Sequence, residues 1–149
     1  MRGWKVLAAG IALALTAFTA GTAQAAPLRG QLIQNHNGLC IDIGSNAPGT
    51  IIGITACNAN LTSQWWYLVG DSIKNYNNLC MDIGSNAPGT LVGITGCNSN
   101  LTSQRWSQVG LAIQNYNDLC MDIRSNAPGT KVGITGCNLQ LSSQWWSFI

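Results

Sequence analysis

Three aspartates stand at one spacing, each two residues after a cysteine: Asp42, Asp82 and Asp122 follow Cys40, Cys80 and Cys120. Three Gln-x-Trp tripeptides keep the same phase, at Gln64-Trp65-Trp66, Gln104-Arg105-Trp106 and Gln144-Trp145-Trp146. An aromatic ring precedes each Cys-x-Asp, at His36, Tyr76 and Tyr116. Carboxylates, amides and rings of this kind can hold a polar ligand, but they lack what catalysis needs. The chain has no glutamate, and its aspartates recur 40 residues apart where general acid-base chemistry needs an inequivalent pair. His36 is the only histidine, and every cysteine is claimed by a disulfide, so neither a nucleophile triad nor a metal site has its members. The expectation is a chain that is not an enzyme and uses no metal and no cofactor.

The elements that must position these groups come in three copies. Units spanning 31–70, 71–110 and 111–149 repeat one pattern, and the block Ser-Asn-Ala-Pro-Gly-Thr recurs unchanged at 45–50, 85–90 and 125–130. Within a unit, short β-favouring runs alternate with turn chemistry and no helical periodicity shows. Four strands are expected in the first copy, near 32–35, 39–43, 51–55 and 64–68, separated by stretches rich in Gly, Asn, Pro and Ser. Ile41 and Ile43 alternate with Cys40 and Asp42, which gives the second strand one apolar face and one carrying the cysteine and the acid. Twelve short strands must hide their edges, and closing into a barrel does so. Ile33, Leu39, Ile54, Leu61 and Trp66, with their equivalents in the other units, are expected to converge on a three-fold axis. A propeller is the rival for this period, but propellers use at least four blades.

Residues 1–25 read as a secretory signal: Arg2 and Lys5 make a basic start, an apolar run follows from Val6 to about Phe18, and Ala23-Gln24-Ala25 offers a small-x-small cleavage site. A membrane anchor is the competing reading, but Thr16, Thr19, Gly21 and Thr22 break the apolar run short of the ~20 residues a span needs. Arg2 and Lys5 also supply the whole formal excess of +2. The mature chain, 26–149, is near neutral, with neither the basic stripe of a nucleic-acid reader nor the cationic cluster that anionic membranes attract. It has the length of one domain. Six cysteines in an exported chain read as disulfides. Cys40–Cys57, Cys80–Cys97 and Cys120–Cys137 are the simplest pairing, each closing about 18 residues and contributing ~3 kcal/mol. Bridging each unit to the next is the alternative. Asn60 and Asn100 head Asn-Leu-Thr acceptors for N-glycosylation, which matters only in a host that glycosylates.

The run Asn37-Gly38-Leu39-Cys40-Ile41-Asp42, the cysteine seventeen positions on and the closing Gln-x-Trp resemble the ricin B-chain-type β-trefoil lectins, also called Gln-x-Trp or family 13 carbohydrate-binding modules. The likeness covers all three units. It implies an all-β trefoil, and it implies that Asp42, Asp82 and Asp122 grip sugar hydroxyls while Gln64, Gln104 and Gln144 support the ligand from below. A different role for each aspartate is to cap its own turn before Ser-Asn-Ala-Pro. Trp66, Trp106 and Trp146 are expected in the core.

The sequence departs from the family pattern at three places. Thr55, Thr95 and Thr135 stand where an aromatic plate is usual, Gly53, Gly93 and Gly133 where a polar side chain is common, and Ser63, Ser103 and Ser143 where asparagine is common. Losing about 50–80 Å² of apolar contact costs ~1–2 kcal/mol, or about tenfold in affinity. His36, Tyr76 and Tyr116 are candidates for a replacement plate, against half-buried packing as the plainer role. Trp65 and Trp145 are expected to face outward, as contacts or as rim packing.

The expected function is therefore a secreted, extracellular carbohydrate-binding module with up to three shallow sites, binding poly- or oligosaccharide by avidity. Nucleic-acid binding and membrane insertion are not expected. The rival is a protein-binding or inhibitory trefoil with vestigial pockets, which the recurring threonines and glycines favour; an inert structural protein is a third reading.

Overall fold

The computed structural model describes residues 29–149, so the expected signal at 1–25 lies outside the described residues. Twelve strands run in order: β1 (Ile33–Asn35), β2 (Leu39–Asp42), β3 (Gly53–Ala56), β4 (Trp66–Val69), β5 (Ser72–Asn75), β6 (Leu79–Ile83), β7 (Val92–Gly96), β8 (Trp106–Val109), β9 (Ala112–Asn115), β10 (Leu119–Ile123), β11 (Val132–Gly136) and β12 (Trp146–Phe148). A 3-10 turn precedes the last strand of each unit, at Thr62–Gln64, Thr102–Gln104 and Ser142–Gln144. The fourth strand of each unit consequently begins at the tryptophan of Gln-x-Trp and leaves the glutamine in the turn, a correction to the expected strand at 64–68.

The strands form three antiparallel four-stranded sheets, ordered β12-β1-β2-β3, β4-β5-β6-β7 and β8-β9-β10-β11. Sheet boundaries are offset from unit boundaries by one strand, so the last strand of each unit completes the sheet of the next. This offset interlocks the units. Backbone bonds close the ring of β1, β4, β5, β8, β9 and β12: Gln31 and Trp66 exchange a pair at 2.9 Å, and the Trp106 and Trp146 amides donate to Asp71 and Leu111 carbonyls at 2.7 Å. The closed ring leaves the barrel no free edge. The hairpins β2-β3, β6-β7 and β10-β11 cover one end, giving the all-β trefoil with pseudo-three-fold symmetry.

The core sits on that axis. Ile33, Ile73 and Ile113, Ile54, Ile94 and Ile134, and Trp66, Trp106 and Trp146 are buried as expected, and each indole Nε1 donates to the carbonyl of Ile41, Met81 or Met121 at 3.1–3.2 Å. Leu39, Leu79 and Leu119 pack at the periphery of this cluster. Leu61, Leu101 and Leu141 do not belong to it: they are 44%, 42% and 45% exposed. Each leucine is instead the residue whose carbonyl receives the glutamine amide that starts the 3-10 turn, and its side chain points away from the barrel. Val92 and Val132 fill core positions opposite Ile83 and Ile123, and Ile52 is buried at the equivalent place in the first unit.

Three disulfides join β2 to the end of β3 and its counterparts: Cys40–Cys57, Cys80–Cys97 and Cys120–Cys137. The within-unit pairing therefore holds, and each bridge staples one capping hairpin. Among the described residues no helix is long and apolar enough to cross a membrane.

Candidate functional site

Each capping hairpin carries an aspartate at the end of its first strand, paired across to a glycine: Asp42 faces Gly53, Asp82 faces Gly93 and Asp122 faces Gly133. A neighbour crowds the glycine. A Cβ on Gly53 would stand 3.1 Å from the Thr130 carbonyl oxygen, one on Gly93 would stand 3.2 Å from that of Thr50, and one on Gly133 would stand 3.1 Å from that of Thr90. The Ser-Asn-Ala-Pro-Gly-Thr turn of one unit is thus laid across the hairpin of the next.

The recurrence of that block has a local cause. Ser45 Oγ accepts the Ala47 amide at 3.1 Å, and Thr50 Oγ1 donates to the Ala47 carbonyl at 2.7 Å, with identical distances in the other units. The glycine after proline sits at φ +91 in all three copies, which only glycine adopts without strain. The turn then reaches across: the Gly129 amide donates to the Ile54 carbonyl at 2.7 Å, and the Ile54 amide donates to Thr130 oxygen at 3.0 Å. Equivalent pairs join Gly49 and Thr50 to Ile94, and Gly89 and Thr90 to Ile134.

Around each aspartate the side chains form one closed cluster. Thr55 Oγ1 donates to Asp42 Oδ2 at 2.9 Å, and Gln64 Nε2 reaches the same oxygen at 2.9 Å, Thr55 Oγ1 at 3.1 Å and the Ala56 carbonyl at 3.0 Å. Gln64 Oε1 accepts the Asn58 amide at 2.8 Å. Thr95, Gln104 and Asp82 repeat the arrangement, as do Thr135, Gln144 and Asp122. The glutamines are buried and the aspartates are half-buried. Two residues that read as losses in the sequence therefore have positive roles: the threonine hydroxyl fixes the carboxylate, and the glycine admits the neighbouring turn.

The observed cluster differs from a cap on the aspartate's own following turn, because Oδ2 bonds to the third strand and the 3-10 turn. That oxygen is committed to the fold, and a ligand would use the remaining carboxylate capacity. At Asp82, burial works to raise the carboxyl pKa, but hydrogen bonds from Thr95, Gln104, Ser103 and the Ile83 amide outweigh it and hold the group below its ordinary value of 3.8.

Two of the three aspartates line a hollow walled by the neighbouring turn. The hollow at Asp42, about 340 Å³, is bounded by Thr55, Ser63, Gly129 and Lys131. The hollow at Asp122, about 640 Å³, is bounded by Leu91, Arg124, Lys131 and Thr135. Neither is lined by His36 or Tyr116. Those rings lie at the seams between units: His36 packs edge-on to Trp145 at 5.1 Å, Tyr76 to Trp65 at 5.6 Å, and Arg105 lies 5.8 Å from the Tyr116 ring centre. The structure thus brings each aspartate together with its glutamine and gathers the aromatic of one unit with the variable residue of Gln-x-Trp from the unit before.

That variable residue has a further duty. Trp65 Nε1 donates to Ala59 O at 3.0 Å, Trp145 Nε1 to Leu139 O at 2.9 Å, and Arg105 Nη2 to Ser99 O at 3.2 Å, so all three tie down the loop after the second cysteine. Sequence reading missed Asn35, Asn75 and Asn115, buried residues whose Oδ1 accepts two amides of the turn leading into the aspartate strand at 2.9–3.0 Å. Their invariance across the three copies was the available signal.

A family model described as a ricin-type beta-trefoil lectin domain matches residues 28–146. Similar solved structures include the agglutinin from Abrus precatorius (TM-score 0.69, 23% identity, covering 80% of this chain and 46% of that one) and the C-half of the earthworm R-type lectin in complex with GalNAc (0.70, 18%, 80% and 97%). A non-toxic homologue of type II RIPs from Momordica charantia (bitter gourd), in complex with alpha-methyl-D-galactoside, is also similar (0.69, 24%, 79% and 46%). At these identities the likeness is one of fold. The chain spans about half the length of the Abrus and bitter gourd chains. Among curated proteins there is no match.

Proposed function

The chain belongs to the ricin-type β-trefoil lectin family, and from that premise we propose that it is a secreted carbohydrate-binding module acting on poly- or oligosaccharide. The observation that carries this reading is the thrice-repeated Asp-Thr-Gln cluster, which opens beside a hollow at Asp42 and at Asp122. A carboxylate held by its own fold at a hollow's edge is preorganised to accept hydroxyl hydrogens from a sugar ring. The glutamine and threonine supply that rigidity from beneath. Relatives of the same fold seen with GalNAc and with alpha-methyl-D-galactoside support the ligand class.

Up to three such sites on one rigid body, at Asp42, Asp82 and Asp122, would act by avidity. A simple monosaccharide then competes poorly with a polymer. The ligand is bound and not processed, in keeping with the absence of an inequivalent acid pair in the sequence.

Glycan-array binding and polysaccharide pull-down test this, comparing wild type with the triple variant Asp42→Asn/Asp82→Asn/Asp122→Asn. Asparagine keeps an oxygen for the threonine and glutamine donors while replacing the ligand-facing acceptor with an amide, so the fold is retained. Binding that drops at least tenfold in the variant is the expected result, given loss of avidity. Undiminished binding refutes the site assignment, and a folded wild type that retains no glycan leaves the protein-binding trefoil as the reading.

A further inference from the structure

The two cations that flank the Asp122 hollow are peculiar to the third unit. Arg124 stands where the other units have Gly44 and Gly84, and Lys131 stands where they have Ile51 and Leu91. The stem of Lys131 does what those apolar residues do. Its Cδ lies 3.6 Å from where a Cβ would sit on Gly53, while Ile51 Cδ1 lies 3.4 Å from the same point on Gly93 and Leu91 Cδ2 3.7 Å from that on Gly133. The packing is satisfied by methylenes, so the ammonium is surplus to the fold. Arg124 reaches over the neighbouring turn, its Nη2 3.6 Å from the Cβ position of Gly89.

Neither cation is neutralised. The one ion pair among the described residues joins Arg105 to Asp71 at 3.5 Å, and both Arg124 and Lys131 are exposed. Lys131 lines the hollow at Asp42 as well as the one at Asp122, so it stands between two candidate sugar sites. The larger hollow therefore presents two positive groups against one carboxylate whose Oδ2 already accepts bonds from Thr135 and Gln144. Because the mature chain is otherwise near neutral, this local excess is a feature of the hollow and not of the whole surface.

We propose that the Asp122 hollow selects anionic glycan, with Arg124 and Lys131 receiving a carboxylate or sulfate group of the saccharide while Asp122 receives hydroxyls of an adjacent ring. This rests on the carbohydrate reading above and specifies its ligand. A guanidinium takes such a group in two parallel bonds, and the lysine adds a point charge. The volume of about 640 Å³ falls within the range of ~300–1,000 Å³ of small-molecule sites. The equivalent positions in the other units, being glycine and aliphatic, offer no such discrimination.

The test compares wild type with Arg124→Gly/Lys131→Leu, which installs residues the fold already carries at the equivalent places. Binding is measured by calorimetry to polygalacturonate (carboxylate), chondroitin sulfate (sulfate and carboxylate) and a neutral galactan. Wild type is expected to prefer at least one acidic polymer over galactan by about tenfold. That preference should shrink as salt rises from about 0.05 to 0.5 M. The double variant should lose it, so that acidic and neutral polymers bind alike. Equal binding of acidic and neutral polymers, or a preference that survives the double change, overturns the assignment and leaves the carbohydrate reading standing. Failure to bind any of the three overturns the assignment, and the glycan array described above decides the carbohydrate reading separately.

Discussion

The capping clusters and the seams are both repeated three times, yet they differ in how strictly they repeat. In the caps, Thr, Gln and Asp are identical in every copy, and the glutamine-to-aspartate distances are 2.9, 2.8 and 2.9 Å. In the seams the contacting pair is Trp65 with Tyr76, Arg105 with Tyr116, or Trp145 with His36. The cap glutamine is buried and bonded on both amide atoms, so any substitute strands several partners at once. The seam residue is half exposed, and its one backbone bond to the loop is made equally by an indole or a guanidinium. Between these two regions, uniformity marks the one where buried hydrogen bonds converge, and variation marks the one where solvent can take over. The surplus cations of the third unit obey the same division, since they vary only at the rim.

Adjacent residues offer the sharpest way to break this contrast. Gln104→Ala removes the donor to Asp82, Thr95 and the Gly96 carbonyl and leaves the Asn98 amide unpaired; a loss of about 3–5 kcal/mol is expected in urea unfolding. A loss below about 1 kcal/mol would mean that the cap cluster is no more demanding than the seam. Gly93→Ala comes next. Its Cβ would push the Thr50 carbonyl, which accepts the Ile94 amide at 3.0 Å, and a cost of about 1–2 kcal/mol is expected, read as a lower melting temperature.

Acid titration of stability probes the cap cluster at Asp82. The Asp82 pKa is lowered in the folded state from 3.8, so its stabilising contribution is complete above that value and is lost as pH falls through the depressed folded value. Wild type should accordingly lose stability more steeply than Asp82→Asn as pH drops below about 4; parallel curves would show that the cluster does not favour the ionised acid. The smallest effect is expected at the seam itself. Arg105→Ala removes an exposed ion pair, a ring contact and one loop bond, and should cost about 1 kcal/mol or less. A cost equal to that of Gln104→Ala would erase the distinction between the two regions.

Much of the architecture was legible in the chain because it depends on local pattern. Alternation at Cys40–Asp42 placed Ile41 inside, and equal cysteine spacing in three units pointed to the three bridges that form. The tryptophan ending each Gln-x-Trp was legible as core for the same reason. Leu61 was misread because an apolar side chain suggests burial, whereas this residue serves through its backbone carbonyl and leaves its side chain in solvent. Within the candidate site, the aspartates and glutamines were legible as repeated polar groups. Their union through Thr55 was not, since a threonine replacing an aromatic carries no sign of which carboxylate it faces.

The sequence by itself determined three equivalent all-β units, their evenly spaced cysteines and the three aspartates, because each is specified by residues close together in one repeat. Only the tertiary structure decided that Gly53 lies under Thr130, that each aspartate hollow is walled by a different unit, that Tyr76 meets Trp65, and that Lys131 borders two hollows. These are contacts between units. They follow from the one-strand offset with which the sheets interlock, and that offset comes from closing the barrel, which no single repeat can do alone.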